Sequence, residues 1–268
     1  MKSHDFGQFL FNSGRLNEVQ MSKMIAAARC AEPTLAVEAL FLQLVSATEL
    51  TNIPIEQLIS ERQAARAEQL KDGQSLRLAQ ALIDNGSTDY VQLEKILDEY
   101  HDLQVPPLES MLTIYYERLR ERLEIDFPFA IDLIRSLHEF MSDELRSTVV
   151  ILPPTVEDHS GAVGSSVKLI GDLPVVTGIF ADEQTLMKLS TRCDDATETI
   201  EDAFDVVAEL LNVFTGHFAT KAAMRRGLDE EPEPPRCGEV IGAPSGFHVL
   251  TDVGKFFLYV NADEIFES

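Results

Sequence analysis

A chain of 268 residues is long enough for two ordinary domains, each with its own core, and a composition of 45% apolar residues with 15 Phe excludes wholesale disorder. Its 45 acidic against 22 basic residues leave a net charge of −23, which repels phosphate backbones and anionic lipid heads. Neither nucleic acid nor a membrane surface is expected as a partner.

The opening MKSHDFGQFLFNSG lacks the charged-then-apolar pattern of a secretory signal, and the longest apolar stretch, TLAVEALFLQLV, is interrupted by Glu38 and Gln43. A cytoplasmic protein is expected. Cys30, Cys193 and Cys237 are odd in number and far apart, which predicts reduced thiols rather than a disulfide framework or a zinc knuckle. The six His are scattered without an i, i+4 pair, so no metal is expected.

From residue 5 to about 125 the apolar spacing is helical, with turn signals at Asn12–Gly14, Glu32–Pro33 and Asn85–Gly86. Two stretches are alike: FGQFLFNSGRLNEVQMSKMI (6–25) and LAQALIDNGSTDYVQLEKIL (78–97), each a short apolar helix, a Gly, a linker and a second helix with Gln20 or Gln92 at matching places. An Arg-rich helix within 109–129 ends near Asp126, and Pro128 suits the first turn of a new helix running to about 146.

Beyond it lie short β-rich segments bounded by Gly, Pro and Asp: 161–171, 173–181, 236–244, 247–251 and 255–262. The last two read as a hairpin turning at Asp252–Gly254. Between the second and third runs one long helix, capped among Asp194–Thr197 and stopped at Gly227, is predicted. The fold class is α+β: an all-helical N-terminal domain over 1–122, then, over 123–268, an antiparallel sheet with two long helices on one face.

The long helix carries the chemistry. At about 100° per residue, Phe204, Ala208, Leu211, Thr215, Phe218 and Ala222 share a core face, while Asp205, Glu209, Asn212 and Gly216 form a stripe roughly 110° away. Glu209-x-x-Asn212 sets a carboxylate and an amide one turn apart on one face. The same spacing recurs at Glu49-x-x-Asn52, so the pair alone does not discriminate. Asp205, four residues upstream, and Pro235, separated from Asn212 by 22 residues, do; the position corresponding to Pro235 in the other copy is Ser75. With 12 Pro in the chain, a Pro at one prescribed position arises by chance about one time in twenty. His217 falls about 100° from Gly216 and is expected at the surface or in packing, not as a general base.

The complete pattern, Asp-x-x-x-Glu-x-x-Asn followed by Pro, resembles the active-site signature of the CheC/CheX/FliY family of chemotaxis phosphatases, over residues 127–262. The first long helix, FAIDLIRSLHEFMSDEL, has no Glu-x-x-Asn, which is similar to the single-site CheX type rather than the two-site CheC type. The resemblance implies an enzyme that hydrolyses the aspartyl phosphate of a CheY-like response-regulator receiver. It implies Asn212 orienting the attacking water, Glu209 pairing with the receiver's lysine, and Asp205, Gly216 and Pro235 supporting the partner's docking. It further implies no cofactor of its own, with Mg²⁺ supplied by the partner, and a homodimer through the sheet. Glu230, Glu231 and Glu233 would oppose a phosphorylated partner if they faced the site. The helical repeats resemble those at the N-terminus of type II secretion ATPases, some of which bind cyclic di-GMP through an Arg-Leu-Gly opening. Here the corresponding positions read Asp5-Phe6-Gly7 and Arg77-Leu78-Ala79. The alternatives to a phosphatase are therefore a non-catalytic adaptor that binds a receiver, and a cyclic-dinucleotide sensor acting through the N-terminal domain.

Overall fold

A computed structural model describes residues 6–54, 73–115, 127–156, 161–240 and 245–261. The chain divides into two compact units, Met1–Leu108 with Arg146–Thr148, and Glu109–Leu145 with Val149–Ser268. Most of the Arg-rich segment expected to end near Asp126 lies outside the described residues.

The first unit is helical throughout: α1 (Phe6–Asn12), α2 (Glu18–Ala28), α3 (Leu35–Phe41), α4 (Ala47–Asn52), α5 (Gly73–Asp84) and α6 (Tyr90–His101), with α7 (Pro107–Ile114) beginning at its end. The two sequence copies share one local geometry. Gly14 and Gly86 adopt left-handed φ of 70° and 65° after the first helix. Asn17 and Asp89 then cap the second by accepting the Gln20 and Gln92 N–H groups at 2.9 and 2.8 Å. Inside the first helices the buried Gln8 donates to Asn12 Oδ1 at 2.9 Å, and the buried Gln80 donates to Asp84 Oδ1 at 2.7 Å. A third copy, α3–α4, escapes sequence inspection because its left-handed residue is Gln43, φ 53°, rather than Gly. Its cap is a reciprocal box in which Ser46 Oγ accepts the Glu49 N–H and Glu49 accepts the Ser46 N–H. Apolar faces of the helices meet around Phe6, whose ring packs edge-on to Phe41 and Tyr100 at 5.7 and 5.2 Å.

The second unit contains α8 (Phe127–Leu145), β1 (Val150–Ile151), β2 (Thr155–Val156), β3 (Val163–Gly171), β4 (Val175–Ala181), α9 (Glu183–Cys193), α10 (Ile200–Arg226), β5 (Glu230–Pro232), β6 (Arg236–Glu239), β7 (Ser245–Thr251) and β8 (Gly254–Asn261). The sheet is antiparallel, in the order β1-β7-β8-β4-β3-β5, with β2 also on β7 and β6 also on β3. The β7–β8 hairpin turns between Thr251 and Gly254 as the sequence predicts.

The helical layer is more than two long helices. α9 and α10 both lie on the sheet, and α8 packs on them. α9 is short and largely polar, but its start is marked: Asp182 accepts the Thr185 N–H and Oγ1–H, both at 2.9 Å. Those bonds hold the Asp182 carboxyl below the usual range. Asp182→Ala is expected to lower stability by about 1 kcal/mol at neutral pH. Because a depressed carboxyl stabilises only while ionised, that loss should shrink below about pH 4, and equal melting of variant and parent at pH 7 would exclude the cap. On the sheet face away from the helices, Val176, Phe180, Val240, Phe257 and Tyr259 form a buried cluster. The strands are consequently apolar on both sides, and β4 is buried along its whole length.

Candidate functional site

α10 spans 27 residues, about 40 Å. Thr199 closes its start in a capping box with Asp202, Glu201 and Asp202 occupy the first turn, and Arg225 and Arg226 the last. Gly227 ends it with φ 67°. Charges at both ends complement the helix dipole.

The helix buries a broad face, because one flank lies on β3 and the other on α8 and α9. The Phe214 ring lies 5.6 Å from Phe140 and 6.1 Å from Phe218, and Phe218 lies 5.3 Å from Phe129. Ser165 on β3 donates to the Phe204 carbonyl at 3.1 Å, and Ser190 on α9 donates to the Ala203 carbonyl at 3.2 Å. Of the six residues assigned to the core face, Phe204 is half-buried and the other five are buried.

The stripe lies outside this face. Asp205 and Glu209 are exposed, and Asn212 and Gly216 are half-buried. The side chains of Asp205, Glu209 and Asn212 meet no hydrogen-bond or ion-pair partner among the described residues. A Cβ placed on Gly216 would meet nothing within 4 Å. No packing among the described residues therefore explains a glycine whose mid-helix cost is about 1 kcal/mol. His217 is exposed.

The other Glu-x-x-Asn behaves differently. Glu49 accepts the Ser46 N–H at 2.8 Å and the Ser46 hydroxyl at 3.0 Å, and Asn52 donates to the Thr48 carbonyl at 2.8 Å. That pair closes a helix and ties down its last turn. Identical spacing thus serves a cap in one place and leaves both side chains without a hydrogen-bond partner among the described residues in the other.

Pro235 is half-buried between β5 and β6, both of which pair with β3 and pack against α10. Of the acidic residues around it, Glu230 is buried and turned onto the β3–β4 turn, where its Oε1 accepts the Leu173 N–H at 2.7 Å. Glu231 is exposed and Glu233 half-buried. Burial pushes the Glu230 carboxyl up; the Leu173 N–H opposes this, and Asp172 and Asp229 add to it. A carboxyl raised on folding holds its proton more tightly in the native chain. It therefore lowers stability as pH rises from the unfolded value of about 4.3 through the folded one. Glu230→Gln is expected to melt above the parent at pH 7, with the gain fading toward pH 4. A variant less stable at both pH values would overturn this.

Beside the stripe, α8, the end of α9 and α10 enclose a groove of about 400 Å³. Phe140, Val206, Leu210 and Val213 line it together with Glu144, Asp194, Asp205 and Glu209. Sequence reasoning missed the groove although a signal existed: Val206 and Val213 are apolar, seven apart, and fall off the core face toward the stripe at 100° per residue. Cys193 also lines it. Desolvation there, reinforced by Glu144 and opposed by Arg192, pushes the thiol of this exposed cysteine up to about 11, which favours the protonated form.

Comparison with solved structures finds similar folds over half of this chain. CheX of Desulfovibrio desulfuricans is 17% identical, the match covering 50% of this chain and 97% of that one with a TM-score of 0.41. The structure of a CheX-CheY-BeF3-Mg complex from Borrelia burgdorferi gives 15% identity, 50% and 97% coverage and a TM-score of 0.38. FliY of Thermotoga maritima gives 17%, 48% and 84%, with a TM-score of 0.36. The likeness is one of fold. No family model and no curated protein matches the chain, and no described helix is long and apolar enough to cross a membrane.

Proposed function

We propose that the second unit is a phosphatase for the aspartyl phosphate of a CheY-like receiver domain, ending a two-component signal. The observation that carries this reading is the contrast between the two Glu-x-x-Asn pairs. Glu49 and Asn52 are bonded within their own helix turn, whereas Glu209 and Asn212 stand on a rigid helix with no partner among the described residues.

An aspartyl phosphate is an acyl phosphate, prone to hydrolysis, so a catalyst need only position water and complete the charge environment. Asn212 accepts from the attacking water and holds it in line with the phosphorus. An amide does this without bringing negative charge toward the phosphoryl oxygens. The water oxygen bonds to phosphorus as the bond to the receiver's carboxylate oxygen breaks. The carboxylate leaves as an anion, and the water's proton passes to phosphate and solvent. Glu209 pairs with the receiver's active-site lysine and fixes the register. Asp205 supports that docking, Gly216 leaves room for a partner backbone, and Pro235 shapes the adjoining edge. The Mg²⁺ belongs to the receiver, and this chain contributes no cofactor.

The test is the decay of a phosphorylated receiver in Mg²⁺, alone and with catalytic amounts of the full chain. Acceleration lost in Asn212→Ala and kept in Asn52→Ala supports the reading. Binding without acceleration would replace it with the adaptor.

A further inference from the structure

We infer that the groove between α8, α9 and α10 is the seat for an apolar side chain flanked by Lys or Arg on the receiver's own surface, and that it selects which receivers this protein acts on. The inference rests on the proposed function for the identity of the partner and goes beyond it in saying what the partner must present.

The groove and the stripe are one surface. Asp205 and Glu209 belong to both, so a receiver whose phosphorylation site faces Asn212 lies across the groove mouth. The floor is apolar: Phe140 from α8 with Val206, Leu210 and Val213 from α10. Val213 is 38% exposed there. At about 400 Å³ the space suits one or two side chains.

The rim decides the chemistry. Glu144, Asp194, Asp205 and Glu209 surround the floor, and no Lys or Arg of the described residues lines it. Asp194 Oδ1 accepts the Ala196 N–H at 2.9 Å, while the Glu144, Asp205 and Glu209 side chains meet no partner among the described residues. Carboxylates without an ion pair among the described residues, set around an apolar floor, favour a cationic rim on the partner and repel an acidic one. The same arrangement gives discrimination, because a receiver with acidic residues at that position would bring like charges together.

The closing experiment measures binding separately from catalysis. A CheY-like receiver activated with beryllofluoride and Mg²⁺ is titrated against the full-length protein, against Val213→Asp and against Glu144→Lys. Both positions are partly or wholly open to solvent, so folding is preserved and is checked by thermal melting. Each substitution is expected to raise Kd by about tenfold, and added salt should weaken the parent more than Glu144→Lys. Kd values within twofold of the parent in both variants would overturn the groove while leaving the phosphatase reading intact, provided the parent still accelerates decay. Weakened binding in both variants, with no acceleration by the parent, would keep the groove and remove the phosphatase. A parent that binds none of several receivers would overturn both.

Discussion

Asn212→Ala is expected to cut the acceleration of receiver dephosphorylation by about a hundredfold or more, the cost of losing one preorganised polar group at a reacting centre. The substitution is a clean one in structural terms. The Asn212 side chain is half-buried and makes no hydrogen bond among the described residues, and Ala is the best helix former. Stability should stay within about 0.5 kcal/mol of the parent, as for surface positions away from special features. A rate lost at constant melting temperature therefore reports the amide's action on water. Glu209→Ala should act differently, raising the receiver concentration needed for half-maximal rate, because it removes a docking contact. A single-turnover decay series at saturating and subsaturating receiver separates the two. Retention of more than a third of the acceleration by Asn212→Ala would remove this residue from the mechanism.

The second large effect is structural. Phe214→Ala is expected to destabilise the second unit by about 3–5 kcal/mol, the range for deleting a buried aromatic ring. Phe214 is 2% exposed and touches Phe140 on α8 and Phe218 on its own helix. Phe218 in turn meets Phe129. Removing the middle ring empties the seam that holds α8 against α10, and rings packed at these distances add to the loss beyond their area. In a domain of this size each kcal/mol moves Tm by about 2–4 °C, so the transition should fall by roughly 6–20 °C. A fall under about 3 °C would mean that the α8–α10 seam contributes little.

The sequence made some elements plain and hid others, for identifiable physical reasons. Strands rich in Val, Ile and Phe and punctuated by Gly or Pro stood out, and the turn before Gly254 follows directly from its left-handed φ of 140°. β1 and β2, of two residues each, are too short to show alternation. α9 was hidden because it is brief, with only Leu186, Met187 and Leu189 as large apolar residues. The cap of α10 lies at Thr199, beyond the expected Asp194–Thr197, because Asp194 instead turns the chain by accepting from Ala196. The stripe itself was legible, since 100° periodicity separates it from the core without knowledge of neighbours. Its meaning was not legible from spacing alone. Asp205 and Pro235 set Glu209 and Asn212 apart from Glu49 and Asn52 in the sequence; the structure adds a difference in hydrogen bonding, which depends on where each pair falls relative to a helix start.

The long, doubly capped helix has a kinetic consequence. Asn212 sits near the middle of 27 continuous helical residues; Ser165 and Ser190 bond the first turns of that helix and Phe140 packs on Phe214. The described residues around it are already in regular structure, so the encounter should be lock-and-key rather than coupled to folding. Rapid mixing with an activated receiver would then give one phase whose rate grows linearly with concentration, without the plateau that a slow rearrangement imposes.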